Sequence, residues 1–294
     1  MNRCDLRFDS FIDELILKPE ELALARQAAV GIAGLLRGAL RPELAPLEER
    51  GDYLVVGSVG KRVAIRPLSA VDLLYLLPED GSQRDGLWRM ESALRAALPS
   101  APVSLENSRL LVEVGSVLVA VRPAVEQQGA FAIPGPQGWM MTNPAAEMAA
   151  LRLSDSLNDG RTTRFLALLK AWRDACAVPL GSFALELLVR EFMAASKAQS
   201  WSGRLADFLA WGRRHAPRQL DLPGGLGRLS LDDAWHALAE AGYWRCVLAG
   251  RHAASGDSDA EIAEWRHLLG ANFAAPPVFN MWNIRQDTGD NKEG

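Results

Sequence analysis

Residues 53 to 78 are the stretch best suited to handling a phosphate. A short apolar run, Tyr53 to Val56, ends in Gly57-Ser58. Between a strand and a turn, Gly-Ser offers bare backbone N–H groups and a hydroxyl, donors that a phosphate can accept from. The same dipeptide also serves as a plain turn. The segment that follows, Val59 to Pro67, carries Lys61, Arg62 and Arg66. It reads either as a solvated basic loop or, beside Gly57-Ser58, as a screen for a triphosphate. A second apolar run, Val71 to Leu77, is bounded by Pro78 and holds one carboxylate, Asp72. Side chains alternate along a strand, so positions 70 and 72 project from one face, and position 70 is alanine.

The elements around these residues are predicted as follows. Short apolar runs between Gly and Pro read as buried strands. Residues 10 to 40 show apolar and charged positions at helical spacing, and Pro19-Glu20-Glu21 fits a helix start. Residues 84 to 98 read as an amphipathic helix ending at Pro99. Arg109 to Val114 and Val117 to Val121 read as strands joined by Gly115-Ser116, a hairpin signal. Val117, Val119 and Val121 then face the helices, while Leu118, Ala120 and Arg122 face the other way, towards Asp72. Pro134-Gly135-Pro136 and Gly138 mark a flexible loop, closed by Trp139 to Pro144. Beyond it strands are scarce, and helical patterns run over 145–158, 161–177, 182–195, 204–215, 231–250 and 258–269. Asp159-Gly160 and Gly181-Ser182 supply stop and cap signals, with Ser182 read as an N-cap.

Composition narrows the function classes. A chain of 294 residues has room for a sizeable core in one large domain or two intimate lobes. The net charge of −4 disfavours a strongly basic nucleic-acid binder. Cys4, Cys176 and Cys246 are far apart and lack metal-ligand spacing, which fits free thiols in a reducing compartment. His215, His236, His252 and His267 lack ligand spacing too. No signal peptide or membrane-crossing apolar run is apparent, so the expected location is the cytoplasm.

Taken together, these segments resemble a known family. In polymerase-beta-like nucleotidyltransferases, Gly-Ser is followed by a strand bearing Asp-x-Asp, which holds two magnesium ions. Here the matching residues are Gly57-Ser58 and Ala70-Val71-Asp72, with the first aspartate replaced by alanine. The third carboxylate of the family lies on a neighbouring strand, three residues before Pro-Ala. That position is Ala120, ahead of Pro123-Ala124. Leu169-Lys170-Ala171-Trp172 and Gly181-Ser182-Phe183-Ala184-Leu185-Glu186 resemble the helical half of the bacterial cyclic-oligonucleotide synthases, the CD-NTases related to cyclic GMP-AMP synthase. The resemblance runs to about Phe273.

This resemblance implies an α+β, bilobed fold with a small twisted mixed sheet and a helical second lobe. It implies a core lobe over 1–143 with an N-terminal bridging helix, a helical lobe over 144–273 and a tail over 274–294. It implies Asp72 as catalytic residue and metal ligand, and Gly57, Ser58, Lys170 and Ser182 as nucleotide-binding residues. The family activity is synthesis of cyclic di- or trinucleotide second messengers from nucleoside triphosphates, in anti-phage (CBASS) signalling, with two magnesium ions. Two of the three metal carboxylates are absent, and magnesium prefers carboxylate oxygens. Turnover is therefore expected to be impaired by many orders of magnitude, whether the alanines are engineered or natural. The alternative is a natural non-catalytic nucleotide-binding or regulatory pseudoenzyme. Arg122 favours it slightly, because a guanidinium can take over part of a cation's work on phosphates. Rescue by Glu113 has no spacing argument behind it. An antibiotic- or RNA-modifying nucleotidyltransferase is disfavoured by the Lys-Ala-Trp and Gly-Ser-Phe-x-Leu-Glu segments. Lys170 and Ser182 read equally as a solvated helix lysine and a cap, and Glu186 as an acid on a helix face. An aromatic near 131–139 could stack on a base. The tail, with Trp282 and Ile284 as apolar anchors and Gly294 last, is read as a partner-binding handle or a frayed end.

Overall fold

The computed structural model describes residues 3–42, 51–77, 83–135 and 138–274. The sheet that carries Asp72 is built from β1 (Tyr53–Val56), β2 (Val71–Leu76), β3 (Val103–Glu106), β4 (Arg109–Val114) and β5 (Val117–Gln127), in the order β1-β2-β5-β4-β3. β2 and β5 run parallel; the other pairs are antiparallel. The expected alternation holds: Val71, Leu73, Tyr75, Val117, Val119 and Val121 are buried in one core with helices α2 (Pro19–Leu40) and α4 (Gln83–Ala97). The opposite face carries Asp72, Ala120 and Arg122. Gly115, at positive φ, turns the two-residue connection between β4 and β5.

Two local expectations need correction. The helical pattern over residues 10–40 is two helices, α1 (Arg3–Leu15) and α2. The break at 16–18 arises because Ile16 bridges to Ile65 and the Leu17 amide donates to the Ala64 carbonyl. α2 then opens on Pro19, and the Lys18 amide donates to Glu21 at 2.7 Å. The second correction concerns the Pro- and Gly-rich stretch, which is not a loop. β5 continues through Pro123 to Gln127 and pairs with β6 (Ala130–Gly135), which pairs with β7 (Gly138–Thr142). Pro123 pairs with Tyr75 of β2, and the Ala124 carbonyl accepts from the Leu77 amide on that side; the missing N–H of Pro123 faces the β4 side, where the ladder has stopped at Leu110–Val121. A small hairpin, β8 (Gln219–Asp221) and β9 (Arg228–Ser230), lies between the helices expected at 204–215 and 231–250, where no element was assigned.

The remaining helices fall close to their expected places: α5 (Pro144–Leu157), α6 (Arg161–Ala175), α7 (Ser182–Met193), α8 (Trp201–Gly212), α9 (Trp235–Ser255) and α10 (Ser258–Leu269). Asn143 caps α5 and Ser200 caps α8, so α8 starts three residues earlier than its apolar pattern. α3 (Gly57–Gly60) is a single helical turn. The helices form a second core around Phe165, Trp172, Leu188, Phe208 and Trp235. α1 belongs to this core: Phe8 packs edge-on against Trp265 and Phe273, at 5.1 and 4.9 Å between ring centroids. Two large apolar cores, one behind the sheet and one among the helices, and a small cluster of Leu74, Leu76, Ala124 and Ile133 give a mixed α+β architecture. No described helix is long and apolar enough to cross a membrane. Pro78, Pro136 and the tail with Trp282, Ile284 and Gly294 lie outside the described residues.

Candidate functional site

The site begins where β1 ends. Gly57 has a positive φ of 61°, and a Cβ placed there would collide with the Asp72 carboxylate. Glycine is thus required twice over, by conformation and by the close approach of Asp72. A side chain at Gly60 would likewise collide with the Val55 carbonyl. The Ser58 carbonyl accepts from the Val63 amide at 2.8 Å, and its hydroxyl has no partner among the described residues.

Strand register fixes what surrounds Asp72. Val56 pairs with Asp72 on one side, and Asp72 pairs with Ala120 on the other. The alanine methyl therefore stands directly across from the carboxylate, on the adjacent strand. Ala70 lies just ahead of β2, one alternation away from Asp72. Glu113 pairs with Leu118, two strands from Asp72 and displaced along the sheet, at roughly two spacings of about 4.8 Å sideways alone. Among the described residues, no group of three His, Cys, Asp or Glu side chains could hold a metal ion. The donor set is one carboxylate. It does not fit a two-magnesium site, which needs several oxygen ligands bridging both ions.

The cations near Asp72 are distributed unequally. Burial pushes the Asp72 carboxyl up, and Arg122, Arg109 and Lys61 oppose that shift. Arg122 is pushed down by burial, with Asp72 opposing and Arg109 adding to the shift. Lys61 is not part of a solvated basic loop. Its ammonium lies 2.8 Å from Glu147 and 2.9 Å from Glu186, under the Phe183 ring. Glu147 also accepts from the Thr142 hydroxyl at 2.7 Å. Arg66 is likewise engaged, donating to Glu21 and to the Glu14 and Ile16 carbonyls. Only Arg62 of the three loop cations is exposed.

Of the two helical residues expected at a triphosphate, Lys170 is buried, and its ammonium donates to the Val63 carbonyl at 2.5 Å. Burial lowers its pKa to about 8, with Glu186 opposing. It fastens the segment that follows α3 to α6. Ser182 is exposed and occupies the first position of α7; Gly181 is the N-cap, so the expected capping role belongs to its neighbour. The Ser182 hydroxyl accepts from Arg173 at 2.6 Å. Glu186 is buried rather than on an open face, and burial pushes its carboxyl up while Lys61 opposes. Trp139, in the region where a base-stacking aromatic was expected, is exposed on β7. The Lys61–Glu147–Glu186 cluster and Arg109 were not anticipated. The former joins residues far apart in the chain; Arg109 carried a signal only in its alternation with Leu111.

No protein-family model and no curated protein sequence matches this chain. Solved structures do. CdnC of E. coli MS115-1, determined with ATP, is 16% identical and superposes with a TM-score of 0.73 over 92% of this chain and 98% of its own. CdnG of Bradyrhizobium diazoefficiens, a CD-NTase in complex with GTP, is 15% identical, with a TM-score of 0.68 over 92% and 96%. DncV of Escherichia coli, bound to 3'-deoxy GTP, is 13% identical, with a TM-score of 0.68 over 90% and 94%. At these identities the likeness concerns the fold, and it spans nearly the whole of each chain. With its mixed sheet bearing Asp72 and its helical lobe, the chain has the polymerase-beta-like nucleotidyltransferase fold of the CD-NTases.

Proposed function

We propose that this chain is a CD-NTase-type protein of cyclic-nucleotide (CBASS) signalling that binds a nucleoside triphosphate between the sheet and the helices. Turnover to cyclic di- or trinucleotide is impaired in the sequence as it stands. The observation that carries this reading is the register of Asp72 with Ala120 on the adjacent strand, beside a glycine turn that only Gly57 can make. Of the expected binding residues, Gly57 and Ser58 stand at the end of β1 beside Asp72, whereas Lys170 and Ser182 are engaged with Val63 and Arg173. The metal half is reduced to one carboxylate. ATP and GTP complexes of CdnC and CdnG support the ligand class. Division into lobes at about residue 143, a cytoplasmic location and a protein partner engaging the tail are part of the same proposal. CdnC of E. coli has been seen in complex with HORMA-deltaN. The non-catalytic reading, a nucleotide-binding regulator, is favoured specifically by Arg109 and Arg122 on the Asp72 face.

When magnesium is bound in an intact two-ion site, it supplies activation of the attacking oxygen and neutralisation of the leaving pyrophosphate. The residues of this chain do a smaller part. Gly57 brings the start of α3 against the Asp72 carboxylate, with Ser58 next in the chain. Lys170 holds the following segment through Val63. Lys61 ties that same segment to α5 and α7 through Glu147 and Glu186. The test is equilibrium binding of labelled ATP, GTP, CTP and UTP, with product analysis on the same samples. Saturable binding with little or no product is expected. Absence of binding to all four would overturn the proposal.

A further inference from the structure

Two guanidinium groups stand on the Asp72 face without hydrogen-bond or ion-pair partners among the described residues. Arg122 lies on β5 two residues beyond Ala120, on the same side of the sheet. Arg109 opens β4, one step past the Leu110–Val121 pair, which sets it across from Arg122. Both are half-buried, and the Nε of each is buried with no hydrogen-bond partner. Neither makes an ion pair or hydrogen bond among the described residues. The Asp72 carboxylate makes none either, and acts on Arg122 only as a nearby charge. Several other arginines in partly buried places are paired: Arg66 with Glu21, Arg164 with Asp9 and Asp13, Arg213 with Glu240, Arg245 with Glu264. Among the described residues Arg190 also lacks a partner, but it stands singly on α7.

The charge count on this face is two cations against one anion. Lys61 adds nothing free, because two carboxylates already surround it. Holding two like charges in a partly desolvated place is unfavourable unless an anion joins them. A guanidinium presents a rigid fork of donors that matches phosphate oxygens, and two such forks side by side match a chain of phosphates. The face is the one that ends at Gly57-Ser58, whose hydroxyl is also without a partner.

We infer that Arg109 and Arg122, with Asp72 as their counter-charge, form a metal-independent phosphate site for the polyphosphate chain of a nucleotide. The two forks take the place of divalent cations that this donor set cannot hold. The inference rests on the proposed nucleotide-binding function, and it adds the prediction that binding does not need magnesium.

The experiment is isothermal titration of the full chain with ATP and, separately, with inorganic pyrophosphate, each in EDTA and in excess magnesium. Both ligands are expected to bind in EDTA, and magnesium is expected not to tighten binding. Arg109→Gln and Arg122→Gln should each weaken binding in EDTA by about tenfold or more, as expected for loss of a charge-assisted contact. Arg109→Lys and Arg122→Lys keep the charge and lose the fork, so each should lose less. Should a glutamine variant fail to fold, its lysine variant serves, and wild-type affinity there would overturn the inference. ATP binding that requires magnesium and ignores both arginines overturns the inference and leaves the nucleotide-binding function standing. Arginine-dependent binding of pyrophosphate with no binding of ATP sustains the anion site and overturns that function. No binding of either ligand in either buffer overturns both.

Discussion

Replacing Lys61 by methionine tests the tie between the sheet and the helices. The Lys61 side chain is 5% exposed and its partners Glu147 and Glu186 are 12% and 6% exposed, so solvent screens this cluster little. Removing one member of a buried ion pair leaves an uncompensated charge and costs about 3–5 kcal/mol. Two carboxylates lose their cation here. Glu147 keeps its Thr142 contact and can turn towards solvent, which argues for the lower end, about 3 kcal/mol. The loss should depend on pH. Glu186 is held above the usual carboxylate range by burial, and Lys61 is the first influence opposing that shift. Without Lys61 the folded-state value rises further. A carboxyl whose folded pKa lies above its unfolded one binds more protons in the native state, so stability falls as pH rises through that window. The deficit of Lys61→Met should therefore be largest at pH 8 and shrink towards pH 5. Urea unfolding of both proteins across this range, with Lys61→Met/Glu186→Gln as a third, measures it. The double variant should recover most of the loss at pH 8. Equal midpoints for wild type and Lys61→Met at pH 8 would refute the reasoning, as would a deficit that grows on acidification.

Further outcomes follow from single sites. Lys170 has a folded-state pKa of about 8, below that of an unfolded lysine, because of burial, so its native state releases the proton first. Wild type should gain up to about 3 kcal/mol on Lys170→Met as pH rises from 8 to 10.5, read from paired urea titrations; a constant difference would contradict the buried, lowered ammonium. Gly57→Ala meets both a positive φ and the Asp72 carboxylate, and should lose about 1–3 kcal/mol in thermal or urea unfolding and weaken ATP binding; wild-type stability and affinity would remove Gly57 from its assigned role.

Much of the sheet was legible because strand chemistry is local. Val117, Val119 and Val121 alternate with Leu118, Ala120 and Arg122, and a period of two can be read without knowing the partner strand. The pairing of Asp72 with Ala120 was not readable from spacing, since register depends on how two distant strands meet. It entered through resemblance. β6 and β7 were hidden because Pro134, Gly135, Pro136 and Gly138 weaken strand propensity, while the ladder from Phe131–Thr142 to Gly135–Gly138 overrides it. The start of α2 was legible in Pro19-Glu20-Glu21, but the separate α1 before it was not, because residues 16–18 are held by Ile65 and Ala64 and the pattern is helical on both sides. Lys61 looked like a solvated loop cation because one of its partners, Glu186, lies 125 residues further on. Ser182 looked like a cap because serine favours that position, yet Gly181 takes it and leaves the hydroxyl to Arg173.

We propose a nucleotide site in this fold that lacks two of the carboxylates needed for metal-dependent chemistry, at Ala70 and Ala120. The direct test compares the chain with its Ala70→Asp/Ala120→Asp variant, each incubated with the four labelled triphosphates and magnesium, with products resolved by chromatography. Because two metals act as a unit, either single change should restore little, and the double change should raise product formation by orders of magnitude. The chain as it stands should yield little or no product. Robust magnesium-dependent product from the unaltered chain would contradict the account.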